Sequence, residues 1–203
     1  MNQLTFIKSR IRKAHGGDLS LGKRRSRRPL DIKKPMHVTL RSEFAYSGRC
    51  LLKHRKMIDT IVKKASRRFR ISVYEKAICG NHLHLLVRGK TRFEIQNFFR
   101  VVAGHIAQQI LELHPLRANE KPRARGGAPG IKKNTCKHAK NQRKFWAALI
   151  YSRVLSGWGN EFRIVKKYIE QNTLEALGVI PYQIRKSRYN VMITRTRAVP
   201  LQI

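Results

Sequence analysis

Residues 80–89 read Gly80-Asn81-His82-Leu83-His84-Leu85-Leu86-Val87-Arg88-Gly89, an apolar run that carries two histidines two positions apart. Alternate side chains of an extended strand point to opposite faces. Leu83, Leu85 and Val87 therefore face a core, and His82 and His84 stand side by side on the other face. A strand gains nothing from two adjacent imidazoles unless they hydrogen-bond or bind something. A bound metal is one reading of the pair; a hydrogen-bonded imidazole beside a solvated one is the other.

Working upstream, residues 71–79 alternate as a second strand, and Gly80-Asn81 makes the turn of a hairpin. Residues 50–69 place Leu51, Leu52, Ile58, Ile61, Val62, Ala65 and Phe69 at helical spacing, with Lys and Arg on the opposite side. Before them, residues 37–41 (His-Val-Thr-Leu-Arg) form a β-branched, alternating strand. Downstream, residues 92–113 carry a helical apolar stripe of Ile95, Phe98, Phe99, Val102, Ile106 and Ile110. Strand, helix, strand, strand, helix opens an α+β, ferredoxin-like split βαβ plan, an antiparallel sheet with packed helices. A fourth strand is expected within residues 145–155, then a helix from about Glu161, capped by Asn160 and stopped near Gly178. Residues 1–35 are expected to be a basic flexible arm, 36–180 the folded domain, 115–143 a basic Pro- and Gly-rich loop inserted in it, and 181–203 a basic tail.

The charge balance narrows the function. With 45 Lys and Arg against 11 Asp and Glu, the chain carries +34, spread through every segment, which suits a polyanionic partner. Its few carboxylates are scattered, with Asp only at 18, 31 and 59, whereas two-metal nuclease or polymerase chemistry needs them clustered. Cys50, Cys79 and Cys136 form no CxxC pair and read as reduced thiols. A zinc site from Cys79, His82, His84 and Cys136 or His138 can be written, but its spacing matches no common zinc pattern. No apolar stretch is long enough to span a bilayer, and no secretory signal is present, so a cytoplasmic, membrane-free protein is expected.

Near the end of the last predicted helix, Tyr168-Ile169-Glu170-Gln171-Asn172 sets Tyr168 and Asn172 four apart, on one helical face. Asn81-His82-Leu83-His84-Leu85-Leu86-Val87 together with Tyr168-Ile169-Glu170-Gln171-Asn172 resembles the two signature blocks of HUH single-tyrosine transposases. Within these it is similar to the REP-associated tyrosine transposases, an IS200-like family of bacteria, and residues 37–41 match that family's opening strand. The resemblance spans roughly residues 36–180. Gly80 and Thr173 stand where the family usually has Pro.

The resemblance implies nicking and rejoining of single-stranded DNA, in which Tyr168 attacks a phosphodiester to leave a 5′-phosphotyrosine and a free 3′-hydroxyl. It implies Mg²⁺ or Mn²⁺ held by His82, His84 and Asn172, with Gln171 as the competing third ligand. It also implies a hairpin DNA partner such as a REP-like palindrome, a nucleoid-associated location, and a monomer or homodimer. A phenol ordinarily ionises near pH 10, so the nucleophile would need activation, and Lys166 and Lys167 are the cations nearest in sequence. The competing reading is a non-catalytic nucleic-acid-binding protein on the same fold, either a domesticated transposase or an RNA- or ribosome-associated module. It leaves the histidine pair unexplained and lacks the strand aromatics of RNA-binding sheets.

Overall fold

The computed structural model describes residues 14–17, 27–117, 120–122 and 144–183. Their elements are β1 (Ala14–His15), β2 (Met36–Arg41), α1 (Arg55–Arg68), β3 (Ser72–Ile78), β4 (His82–Arg88), α2 (Arg92–Leu113), β5 (Tyr151–Val154) and α3 (Asn160–Ala176). The strands form one antiparallel sheet in the order β1-β5-β2-β4-β3. With β1 set aside, β2, α1, β3, β4, α2 and β5 follow the split βαβ plan: β4 lies between β2 and β3, and β5 returns to the far side of β2.

The alternation expected of β4 is realised. Leu83, Leu85 and Val87 enter the main core with Met36, Val38 and Leu40 of β2, beneath Ile58, Ile61 and Val62 of α1 and the Ile95–Ile110 stripe of α2. On the opposite sheet face Leu86 is buried with Ala77, Cys79, Leu155, Val165 and Ile169. This smaller core seats α3, which lies chiefly over β3 and β4.

Helix α2 begins where its sequence says it should. Thr91 accepts from the Glu94 backbone N–H, and the Glu94 carboxylate accepts from the Thr91 N–H, a reciprocal capping box. The start of α3 differs from expectation, because Asn160 lies inside the helix and Gly159 occupies the cap position without a side-chain bond. The Glu161 carboxylate instead accepts from the Ser156 N–H at 2.6 Å and pairs with Arg153 at 2.9 Å, tying the first turn back to β5. The expected stop is present: Gly178 adopts φ +73°, Gly178 N–H donates to Glu175 O, and Val179 N–H donates to Leu174 O, a Schellman closure.

Two basic segments expected to be flexible contribute fixed pieces. Ala14 and His15 pair with Arg153 and Ser152 as an edge strand. The Arg28 guanidinium donates to Ile150 O at 2.8 Å and Ser152 Oγ at 2.6 Å. These contacts arise because β5 would otherwise present an unpaired edge, which a neighbouring segment of the chain can satisfy. At the start of the 115–143 loop, Glu120 forms an ion pair with the largely buried Arg49 and accepts from Tyr46 Oη at 2.5 Å. That bond holds the Glu120 carboxyl below its usual range and the Tyr46 phenol above its own. Residues 123–143 and 184–203, with most of the expected loop and tail, lie outside the described residues. No described helix is long and apolar enough to cross a membrane.

Candidate functional site

The site is built on the sheet face that carries α3. Cross-strand register sets Thr39 of β2 opposite His84 and Arg41 opposite His82. On the far side of β2, Tyr151 of β5 stands opposite Thr39 and Arg153 opposite His37. The His84 ring is buried, 5% exposed, and its Nδ1 lies 3.1 Å from both His37 Nε2 and Thr39 Oγ1. The His82 Nδ1 is engaged by Asn81 Oδ1 at 2.7 Å. The two imidazoles stand edge to face with centroids 4.7 Å apart.

Helix α3 brings Tyr168 to this pair. Its ring meets His84 edge-on at 5.4 Å and His37 edge-on at 6.0 Å between centroids. One turn further, the buried Asn172 packs by Cys79, whose thiol donates to Asn172 O at 3.9 Å, while Cys79 N–H bonds His82 O across the hairpin. Asn172 Nδ2 donates to Tyr168 O at 2.6 Å, so any ligand role falls to its Oδ1. Gln171 turns elsewhere and donates to Glu175 Oε1 at 2.9 Å and Gln183 Oε1 at 3.3 Å. Lys166 pairs with Glu170 along its own helix at 3.6 Å.

Sequence reading assigned no functional role to His37, Thr39 or Tyr151. The strand at 37–41 carried the signal, since His37, Thr39 and Arg41 alternate with the core residues Val38 and Leu40. Which face of β4 they would meet depends on cross-strand register. Burial, with Arg153 nearby as a second cause, pulls the His37 imidazole down to about 4, so it is neutral at pH 7. A neutral ring accepts through one nitrogen, which suits a partner for His84 Nδ1. Tyr151 meets His37 edge-on at 6.5 Å, so a second phenol borders the same histidine.

Among the described residues no three His, Cys, Asp or Glu side chains cluster to hold a metal ion. The zinc arrangement considered from sequence thus has no such cluster here, and Cys136 and His138 lie outside the described residues. Residues 38–123, from β2 through α2, match the family model described as "Transposase IS200 like". This segment is similar to the IS200-like transposase family. It includes His82 and His84, whereas Tyr168 and Asn172 lie beyond it. Among solved structures, the chain is similar to a REP-associated tyrosine transposase bound to a REP hairpin, with 12% identity, TM-score 0.48, and coverage of 86% of this chain and 87% of that one. It is also similar to a candidate transposase from Deinococcus radiodurans R1, with 13% identity, TM-score 0.39, and coverage of 73% and 98%. No curated protein matches the sequence.

Proposed function

We propose that this transposase-family chain cuts and rejoins single-stranded DNA with Tyr168 as nucleophile. The observation that carries the reading is the edge-on contact of the Tyr168 ring with His84 and His37, which sets a phenol beside two imidazoles on a strongly basic chain. Tyr168 Oη gives up its proton and attacks phosphorus. The bond from phosphorus to the 3′ oxygen breaks, and that oxygen gains a proton to become the free 3′-hydroxyl. The enzyme keeps a 5′-phosphotyrosine, and reversal rejoins a strand without a nucleotide cofactor.

A divalent ion belongs to this reading, Mg²⁺ or Mn²⁺, with His82, His84 and Asn172 as its ligands. Engagement of both Nδ1 atoms by the protein supports it, because such contacts fix the ring orientation that a metal-ligating histidine needs. Two imidazoles and an amide oxygen suit Mn²⁺ on ligand grounds, and Mg²⁺ on abundance. When bound, the ion would supply Lewis-acid polarisation of the scissile phosphate. His37 and Thr39 hold His84 in place, and the Leu86–Val165–Ile169 core holds Tyr168 over it. The DNA partner in this reading is a single strand carrying a hairpin.

The test is a denaturing gel of the protein mixed with labelled single-stranded hairpin DNA and Mg²⁺ or Mn²⁺. Wild type is expected to give a labelled covalent adduct and Tyr168→Phe none, with DNA affinity retained. An adduct that persists in Tyr168→Phe and vanishes in Tyr151→Phe would move the nucleophile to Tyr151. Binding without any adduct in wild type, across hairpin substrates, would make the protein a non-catalytic binder.

A further inference from the structure

A second group of aromatics stands on the same sheet face, at the other end of α3. Trp158 lies in the β5–α3 connection, 45% exposed, between Gly157 and Gly159. A Cβ placed on either glycine would meet nothing within 4 Å beyond its chain neighbours, so the backbone flanking Trp158 is not packed against other elements among the described residues. Tyr74 packs its edge on the indole at 5.1 Å, Phe162 of α3 lies at 5.2 Å, and the Arg88 guanidinium sits over the indole ring, 5.5 Å from its centroid. Tyr74 reaches this group because a β-bulge between Val73 and Glu75 re-aims it toward α3.

The group is continuous with the candidate site. Arg88 ends the strand that carries His84, four residues on, or about 13 Å at strand rise. Helix α3 runs from Phe162 at this group to Tyr168 at the other. An exposed indole backed by aromatics and flanked by a guanidinium, on a chain of charge +34, has the composition of a base-stacking platform. Every base has a π-face, and the arginine serves both the indole face and a neighbouring phosphate. An apolar partner surface would not account for the cation over the ring.

We propose that Trp158 and Arg88 form a stacking subsite for an unpaired base of the DNA strand, a few nucleotides from the phosphate at Tyr168. This subsite rests on the single-stranded DNA reading above. In it the base lies against the exposed part of the indole, and Arg88 neutralises the adjoining phosphate. Tyr74 and Phe162 hold the indole from beneath.

The experiment titrates a fluorescein-labelled mixed-sequence single-stranded oligonucleotide into wild type, Trp158→Ala, Trp158→Phe and Arg88→Ala over a salt series. Trp158→Ala is expected to weaken binding roughly tenfold at every salt concentration, leaving the slope of log K against log salt unchanged. Trp158→Phe, which keeps a ring, should recover most of the affinity and controls for packing. Arg88→Ala should weaken binding and also flatten the slope by about 0.7, as for one phosphate that is no longer neutralised. In a Trp146→Phe background, where Trp158 is the remaining tryptophan, DNA should quench the indole emission. Equal affinity in wild type and Trp158→Ala, or an equal weakening on fully duplex DNA, would overturn the subsite while the DNA reading stands. Failure of wild type to bind the oligonucleotide at all would remove both.

Discussion

At the scale of single residues, the four candidates named from sequence differ in what the fold asks of them. His82 is half-buried at the strand start, while His84 is buried and touches His37, Thr39 and Tyr168. His82→Ala is therefore expected to keep the fold and lose metal-dependent nicking. His84→Ala should lose the same activity and also about 1–3 kcal/mol of stability, from a buried ring and its hydrogen bonds. Thermal unfolding without metal, set beside the adduct assay, separates the two effects. Equal stability of both variants would deny His84 its structural part. Asn172 and Gln171 separate clearly in their surroundings, because Asn172 is buried one turn from Tyr168 while Gln171 is tied to Glu175. Asn172→Ala should shift the Mn²⁺ dependence of adduct formation to higher concentration and Gln171→Ala should not; the reverse ranking would transfer the ligand role. Helical spacing alone puts Tyr168 and Asn172 on one face. The partnership of His37 with His84 was not legible, since it depends on how β2 and β4 are aligned rather than on anything local to either strand.

At the scale of elements, β4 serves both cores, and its alternation was readable because Leu and His differ so plainly in what they ask of their surroundings. The Gly178 stop was an equally local signal. The Asn160 cap was a local signal that failed: Glu161 bonds the Ser156 N–H and Arg153 at the helix start, so the turn is set by a contact to β5. The two-residue β1 carries too few side chains to show a period at all. The division of β4 between cores has a measurable consequence. Leu85→Ala opens the main core beneath α1 and α2, and Leu86→Ala opens the smaller core beneath α3, each at about 2–5 kcal/mol. Amide hydrogen exchange should show Leu86→Ala loosening residues 160–176 ahead of the rest, with adduct formation falling accordingly. Leu85→Ala should raise exchange across α1, α2 and the sheet together. Uniform loosening by both variants would mean that α3 is not a separable unit.

At the scale of the whole molecule, a charge of +34 makes DNA binding a counterion-release process, and the placement of the leader decides how that charge is to be tested. Removing residues 1–35 would take away β1 and Arg28, both fixed on β5, together with any cations that meet phosphates. Two truncations resolve the confusion. Deleting residues 1–13 takes Lys8, Arg10, Arg12 and Lys13 and leaves β1 and Arg28 in the chain. Its melting temperature should match that of the full chain, and the salt slope of single-strand binding should fall by about 0.7 for each phosphate that those cations neutralise. Deleting residues 1–35 should flatten the slope further and also lower the melting temperature, because the β5 edge loses its partner strand and Ser152 loses Arg28. For the full chain, a complex that neutralises about 6–10 phosphates should weaken by about 10³–10⁵ between 50 and 200 mM salt. Fluorescence anisotropy over a salt series gives the slope for each of these chains, and differential scanning calorimetry gives the melting temperatures. A shallow slope for the full chain would show that its charge is not directed at phosphates. Identical melting temperatures for the two truncations would show that β1 and Arg28 add nothing to the stability of the sheet.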